Sequence, residues 1–272
     1  MLETFLPWLV LVVLVLGGLA CWWRSAVVWC ALLLPVVAWL VQFGGLLLPQ
    51  SGAGYDITVL HHNVSDENPD PSGTARKLLK VQADLIALVE VTPSSFPTIA
   101  AVLAPDYPHH AAVGTVGLWS KLPLTNVQPV DIKPKAVETG WDRGLRATAG
   151  SEHGDIAVYV AHLPSLRLSV SDGFRSAWRD ESASRLGAAI ANEQVEKVIL
   201  LGDLNSTVDD RGLHPLTSQL DPPRTGIAFS WPASFPLARI DQIMTRATIA
   251  TRIWSLSPTP SDHLPVAARI RL

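Results

Sequence analysis

Several apolar, strand-length stretches of this 272-residue chain run into side chains that can hold a metal ion or move a proton. Ile57–Leu60 leads to Asn63, Asp84–Val89 ends at Glu90, and Ile156–Ala161 ends at His162. Val198–Leu201 runs into Gly202-Asp203-Leu204-Asn205, Ile240 is followed by Asp241, and Asp262-His263 precedes Leu264–Ile270. Loops at strand ends present side chains from a rigid scaffold, so such a set can converge on one site. Its carboxylates and amide oxygens suit a hard cation such as Mg²⁺. Asp203 and Asn205, two positions apart, point the same way in extended backbone. Histidines orient phosphates, activate water or protonate leaving groups. The chain has no Gly-rich phosphate loop and no nucleophile-elbow serine, and no cysteine follows Pro49. Water is therefore the more natural nucleophile.

Taken singly, Asp and Asn at these positions read as turn formers and caps, and His162 as a satisfied core histidine. The order and number of the residues together favour a site. Arg143 and Arg146 are candidates for holding a substrate phosphate, with a surface salt bridge as the competing reading. His62 adjoins Asn63 and fits either a site or a core position. His109-His110 follow Pro108 and read as an exposed loop.

The elements that must position these groups alternate along the chain. Asp84–Val89 and Val198–Leu201 are continuous apolar runs of the kind that form buried strands. Ser72 can cap a helix running to about Val81; Phe96–Leu103 and Ser176–Gln194 also read as helices. Val116–Ser120 is a short strand broken by Lys121-Leu122-Pro123. Leu145–Ala149 and Ile156–Ala161 form a hairpin around Glu152-His153-Gly154. Interleaved strands and helices with some hairpins give an α/β class with mixed sheets.

The first 48 residues differ in kind. From Thr4 to Leu48 the only charged residue is Arg24, and five of the ten tryptophans fall in this part. A bilayer core about 30 Å thick takes roughly 20 helical residues. The runs at about 6–23 and 26–48 therefore qualify as two transmembrane helices, with Trp22-Trp23-Arg24 as an interfacial turn. A signal peptide fits poorly, because no Lys or Arg precedes the apolar stretch and the stretch repeats. A buried hairpin of a soluble protein fits poorly too, for want of polar residues. Residues 49–54 form a Gly/Ser linker and 55–272 a catalytic domain. Arg24, the only Lys or Arg before Arg76, puts the turn in the cytoplasm and the domain outside it, in a multi-pass cell-membrane protein. The net charge of −3 lacks the basic excess of proteins that grip duplex DNA. Cys21 and Cys30 both lie in the apolar part, which excludes a disulfide framework or Cys-ligated zinc in the domain.

Seven segments, in order, resemble the endonuclease/exonuclease/phosphatase superfamily, the deoxyribonuclease I-like fold, in a membrane-anchored form of bacterial type. They are Val59–Asn63, Asp84–Val91, Gly117–Leu124, Val158–Ser165, Leu200–Ser206, Arg239–Met244 and Ser261–Val266. The spacing of Gly-Asp-Leu-Asn and Ser-Asp-His is the most specific part. The resemblance implies a four-layer α/β sandwich, two mixed β-sheets flanked by helices. It implies Mg²⁺ or Mn²⁺ as cofactor, with Glu90 the principal ligand, Asn63 beside it and Asp262 on the same side. It implies that His162 assists phosphate binding or leaving-group protonation, that Asp203 and Asn205 position water, and that Asp241 orients His263. Whether Asp203 or His263 is the general base stays open. His61-His62 depart from the small or aromatic residues common before the first Asn. Asp142 and Asp172 are candidates for an acidic partner of His162.

The expected activity is hydrolysis of a phosphoester near a membrane, on a lipid headgroup or a small molecule. An extracellular metal-dependent nuclease shares the same site, and a catalytically inactive binding module is the third reading. The expected partners are the phosphoester substrate and the lipid bilayer through residues 6–48; no protein partner is inferred.

Overall fold

A computed structural model describes residues 2–23, 26–47, 54–137, 140–165, 167–169 and 173–272. Arg24, Leu48, linker residues 49–53 and Asp172 lie outside the described residues.

In chain order the elements begin with α1 (Leu9–Trp23), α2 (Ala26–Leu47), β1 (Ile57–Asn63), α3 (Pro71–Leu79), β2 (Leu85–Val89), α4 (Phe96–Leu103), β3 (His109–Val113) and β4 (Val116–Ser120). They continue with β5 (Leu124–Pro129), β6 (Gly144–Ser151), β7 (Gly154–His162), β8 (Arg167–Ser169), β9 (Gly173–Arg175), α5 (Ala177–Ala191) and β10 (Lys197–Asp203). The last are α6 (His214–Thr217), β11 (Asp241–Arg246), β12 (Ile249–Ser255) and β13 (Val266–Arg271).

One sheet has the spatial order β12-β13-β1-β2-β4-β3 and the other β11-β10-β7-β6-β5, with β8 and β9 a separate ribbon. Both large sheets are mixed. β1 runs parallel to β2 but antiparallel to β13, and β10 runs parallel to β7 but antiparallel to β11.

Strand residues alternate between faces, and this alternation sorts the apolar residues into three buried layers. Val59, Leu85, Ala87, Val158, Leu201 and Ile243 fill the space between the sheets. Leu60, Ile86 and Leu88 point the other way, onto the layer holding Leu78 of α3 and Ile99 of α4. Tyr159, Val198 and Leu200 meet Leu186 and Ile190 of α5 and Leu216 of α6. Two sheets back to back, each covered by helices, make the four-layer α/β sandwich. At Gly202 a Cβ would run into the Ala161 carbonyl oxygen on the neighbouring strand, which explains glycine before Asp203.

Local details differ from the expectations. Asp70, not Ser72, caps α3: its carboxylate accepts from the Gly73 N–H at 2.8 Å, and Pro71 takes the first turn, where no N–H is needed. His109-His110 belong to β3, where His110 stacks on Trp119 (centroids 6.4 Å, 14°). The polar, mostly exposed edge strand β5 and the irregular edge strand β12 were not anticipated.

The two N-terminal helices are long and apolar enough to cross a membrane: Leu6–Trp23 and Ala26–Leu47, each with mean hydropathy 2.2. One end of this hairpin touches the domain. The Trp39 indole donates to the Pro7 carbonyl (2.9 Å), the Trp8 indole to the Leu237 carbonyl (2.7 Å), and the Gly226 N–H to the Leu46 carbonyl (3.0 Å). Trp8 also stacks on Phe229 at 5.5 Å.

Candidate active site

Strand register assembles the site. In one sheet, β7 pairs with β10 so that His162 lies opposite Asp203, and β10 pairs with β11 so that Asp203 lies opposite Asp241. Three adjacent strands thus set three ionisable residues in a row. All three follow the parity of the inter-sheet residues Val160, Leu201 and Ile243, so they crown the apolar layer at its open end. In the other sheet, Asn63 closes β1 opposite Val89, and Glu90 follows directly. Asn63 shares the parity of Val59 and faces the same gap. The Asn63 amide donates to Asp203 Oδ2 at 3.1 Å and links the sheets.

Asp203 is almost fully buried and well bonded. Its Oδ1 accepts from the Asn205 N–H at 2.9 Å. Its Oδ2 lies 3.8 Å from both His162 Nε2 and His263 Nε2, beyond direct hydrogen-bond range. Asp241 is sealed from solvent. Its Oδ2 accepts from His263 Nδ1 at 2.7 Å and its Oδ1 from His61 Nε2 at 3.1 Å. His162 Nδ1 lies 3.3 Å from Arg143, and a guanidinium can only donate, so the ring proton sits on Nε2. That Nε2 is 3.6 Å from Glu90 Oε1.

Glu90 has φ +59° and Asn205 φ +49°. Left-handed backbone costs a non-glycine residue on the order of 1–3 kcal/mol; asparagine tolerates it better than glutamate does. At Glu90 the turn swings the carboxylate into a cavity of ≈ 860 Å³. Asn63, His162, Asp203, Asn205, Asp262 and His263 line the same cavity. Asp262 is exposed at its rim. Asn205 is held there by its amide donating to the Leu163 carbonyl at 2.9 Å.

The electrostatics divide the site. Burial alone would lower the His263 pKa, but the Asp241 and Asp203 carboxylates outweigh it and raise the pKa to about 10. Burial likewise works against the Asp241 carboxylate, yet His263 and His61 hold it well below the usual range. Burial, reinforced by the Asp241 charge and only partly opposed by His263, pushes Asp203 up to about 6. Burial and the Arg143 charge push His162 down to about 3, so it is neutral. Ligand-type atoms of Asp203, Asp241 and His263 lie within 4.8 Å of one another, as metal ligands would. Two histidines already occupy the Asp241 oxygens, and a cation there would face a positive His263. Asp241 and His263 are better described as a hydrogen-bonded pair, with Asp203 3.8 Å from the far nitrogen of that ring.

Arg146 is not brought to the site. It sits on the outer face of β6, opposite in parity to Leu145 and Ala147, and grips Glu193 with two bonds of 2.9 and 3.0 Å. Burial alone would raise the Glu193 pKa, but Arg146, the Val195 N–H and the Tyr159 hydroxyl hold it near 2. Arg143 does reach the site, through His162, and packs over Trp141 at 5.0 Å. Asp142 offers its backbone to β4's approach, its carbonyl accepting from the Thr115 N–H at 3.2 Å. His61 is the residue that sequence reasoning missed as a site member. Its position two before Asn63, on the inward parity of β1, was the available signal. His62 points outward to Thr259 Oγ1 at 2.8 Å and is a core histidine.

A family model described as the endonuclease/exonuclease/phosphatase family matches residues 39–263. A search of curated protein sequences gives no match. Among solved structures, an endonuclease/exonuclease/phosphatase from Bacteroides vulgatus matches with TM-score 0.65 at 17% identity, over 80% of this chain and 100% of that one. A mutant beta toxin from Staphylococcus aureus with bound magnesium ions matches with TM-score 0.64 at 14% identity, over 79% and 99%. Sphingomyelinase C from Streptomyces griseocarneus matches with TM-score 0.63 at 16% identity, over 78% and 98%. At these identities the likeness is one of fold.

The His61–Asp241 bond yields a direct expectation. His61→Leu leaves a buried carboxylate oxygen without its donor and should cost about 1–3 kcal/mol of stability, read from denaturant unfolding. His61→Gln can still donate to that oxygen and should recover most of the loss. Equal losses in both variants would show that the imidazole does not act as a donor to Asp241.

Proposed function

Because the chain belongs to the endonuclease/exonuclease/phosphatase family, a family of metal-dependent phosphoester hydrolases, we propose that it is a membrane-anchored phosphoesterase that uses Mg²⁺ or Mn²⁺ and an activated water. The observation that carries this reading is the convergence of Asn63, Glu90 and His263 from one sheet with His162 and Asp203 from the other on one cavity, with Asp241 bonded behind His263.

Among the groups that line the cavity, Glu90, Asn63 and Asp262 offer oxygens, which would suit a hard cation. When bound, such an ion supplies polarisation of a phosphoryl oxygen and offsets charge as it develops. The remaining work falls to the chain's own groups. Asp203 is the base: it takes a proton from the water that attacks phosphorus, and its pKa of about 6 keeps it an effective acceptor near neutral pH. Asn205, fixed on Leu163, orients that water. His263, held positive by Asp241, attracts the phosphate. His162, with its proton on Nε2, donates to a phosphate oxygen or to the departing ester oxygen, and Arg143 holds the ring in that tautomer. One P–O ester bond breaks and one P–O bond to water forms; Asp203 holds the proton taken from that water, and the leaving oxygen, steadied by the His162 Nε2–H hydrogen bond, takes its own proton from solvent water in the cavity and departs as an alcohol.

The anchor reading is supported by the two apolar helices and by the end of the hairpin that meets the domain. Arg24, the one basic residue between the two apolar stretches, favours the cytoplasm for that side by the positive-inside tendency and so an extracytoplasmic domain. The net charge of −3 favours small or lipid phosphoesters over duplex nucleic acid.

A soluble bis-aryl phosphodiester with added Mg²⁺ or Mn²⁺ tests the reaction. Hydrolysis should vanish on exhaustive chelation and return with either ion; full activity after chelation contradicts the metal role.

Variants then separate the roles. Asp203→Ala should slow turnover by about 10²–10⁴-fold with little change in KM, and His263→Ala should slow turnover and also raise KM, because it removes the cation that attracts the phosphate. Asp241→Asn should follow His263→Ala, whereas Glu90→Gln should also raise the metal concentration needed for half activity. Folded Asp203 and His263 variants with near-normal turnover would contradict these roles, and a folded, metal-loaded wild-type chain that hydrolyses no phosphoester would leave the binding-module reading in their place.

A further inference from the structure

The stretch Thr225–Ala238 carries no charged residue. Six large apolar side chains outside the two N-terminal helices are conspicuously exposed among the described residues, and three of them lie here: Ile227 (39%), Trp231 (42%) and Phe235 (67%). Clustered exposure of this kind marks an interaction surface rather than ordinary surface. The loop is not loose. The Trp231 N–H donates to the Ala238 carbonyl at 3.0 Å, and the Leu237 N–H to the Trp231 carbonyl at 2.9 Å, which closes a tight projecting turn with Phe235 inside it.

Two neighbours identify what this surface meets. The first is the helical hairpin. The Trp8 indole, in the first turns of the apolar run Leu6–Trp23, donates to the Leu237 carbonyl, while at the other helix end the Gly226 N–H donates to the Leu46 carbonyl and Ile227 and Phe229 line one pocket with Phe43 and Leu46. Tryptophans at the ends of membrane spans sit at headgroup level. The Trp8–Leu237 bond therefore sets the depth of the loop: it lies at the same interface. The second neighbour is the catalytic cavity, whose wall is formed on one side by Trp231, Leu237 and Ala238. One loop thus touches the membrane helices with one side and lines the site with the other.

We propose that Ile227–Leu237 is seated in the headgroup layer of the bilayer that holds α1 and α2, and that the cavity beside it takes the phosphoester headgroup of a lipid in that same leaflet. This rests on the metal-dependent hydrolase reading above and names its substrate class. An amphipathic aromatic such as Trp231 suits the boundary, and Phe235 gains by leaving water. The lipid would reach Asp203 and His263 without leaving the membrane, because the wall it passes is the apolar one. Nucleic acid is disfavoured because the Thr225–Ala238 side of the cavity carries no cation to meet a run of phosphates.

The full chain, reconstituted in vesicles of phosphatidylglycerol, phosphatidylethanolamine, phosphatidylcholine and sphingomyelin with Mg²⁺, tests this in two ways. First, a fluorophore at position 235 (Phe235→Cys in a Cys21→Ser, Cys30→Ser background) should be quenched by lipids brominated near the headgroup. An unquenched label overturns the proposal whatever the activity. Second, at least one of the four lipids should be hydrolysed, and Phe235→Ser should slow that reaction about tenfold while changing hydrolysis of the soluble bis-aryl diester by less than about twofold. Hydrolysis of the soluble diester with all four lipids untouched overturns the lipid proposal and leaves the hydrolase reading standing. Failure on the soluble diester as well overturns the hydrolase reading, and the proposal falls with it. Preferential cleavage of a single-stranded oligonucleotide, or equal slowing of both substrates by Phe235→Ser, also overturns it.

Discussion

A carboxylate removed from water must be met by donors, or the fold bears its full desolvation cost. Asp241 is such a carboxylate, and the way it is met organises the end of the molecule that holds the cavity. One oxygen bonds His61, which lies on β1 of the opposite sheet; the other bonds His263, which stands just before β13. Both bonds therefore cross the gap between the sheets. The Asn63–Asp203 bond crosses it again a few ångströms away. Below these links the space between the sheets is filled by non-directional apolar packing, which fixes their separation but tolerates sliding. The polar links fix the register of one sheet against the other, and with it the positions of the groups at the open end.

The same arrangement divides the site in two. On one side, His61, Asp241 and His263 are buried and bonded in series, with Asp203 buried beside them and bonded to Asn63 and Asn205. On the other, Glu90 turns outward through a left-handed residue and offers its carboxylate to the cavity, beside Asn63 and Asp262. Strained backbone persists where surrounding structure over-determines it. The neighbouring bonds of Val64 N–H to the Val89 carbonyl and Val91 N–H to the Thr115 carbonyl do this at Glu90. One arm is suited to holding a cation and the other to moving protons, and Asp203 lies where they meet.

Much of this was legible in the sequence, for a physical reason. A strand end that closes an apolar run must place its next inward residue at the mouth of the core, so Asn63, His162, Asp203 and Asp241 could be read as convergent from parity alone. Parity also carried information that went unused. His61 shares the inward phase of Asn63 and belongs to the site, while Arg146 has the outward phase of β6 and does not. What parity could not reveal was the partner: Glu193 lies 47 residues from Arg146 in the chain, and nothing local links them. The edge strands β5 and β12 were illegible because an edge buries too little to need an apolar run. The contact of the helical hairpin with the 227–238 loop was hidden for a related reason, since it joins segments about two hundred residues apart through main-chain carbonyls that leave no mark on residue type.

The division of the site into a cation arm and a proton arm is the claim on which the functional reading stands. Crystals of the protein grown with Mn²⁺ and measured for anomalous scattering test it most directly. The account predicts a manganese peak ligated by the Glu90 carboxylate, with Asp241 still bonded to both His61 and His263. A peak ligated instead by Asp241, with His263 turned away from it, would contradict the account.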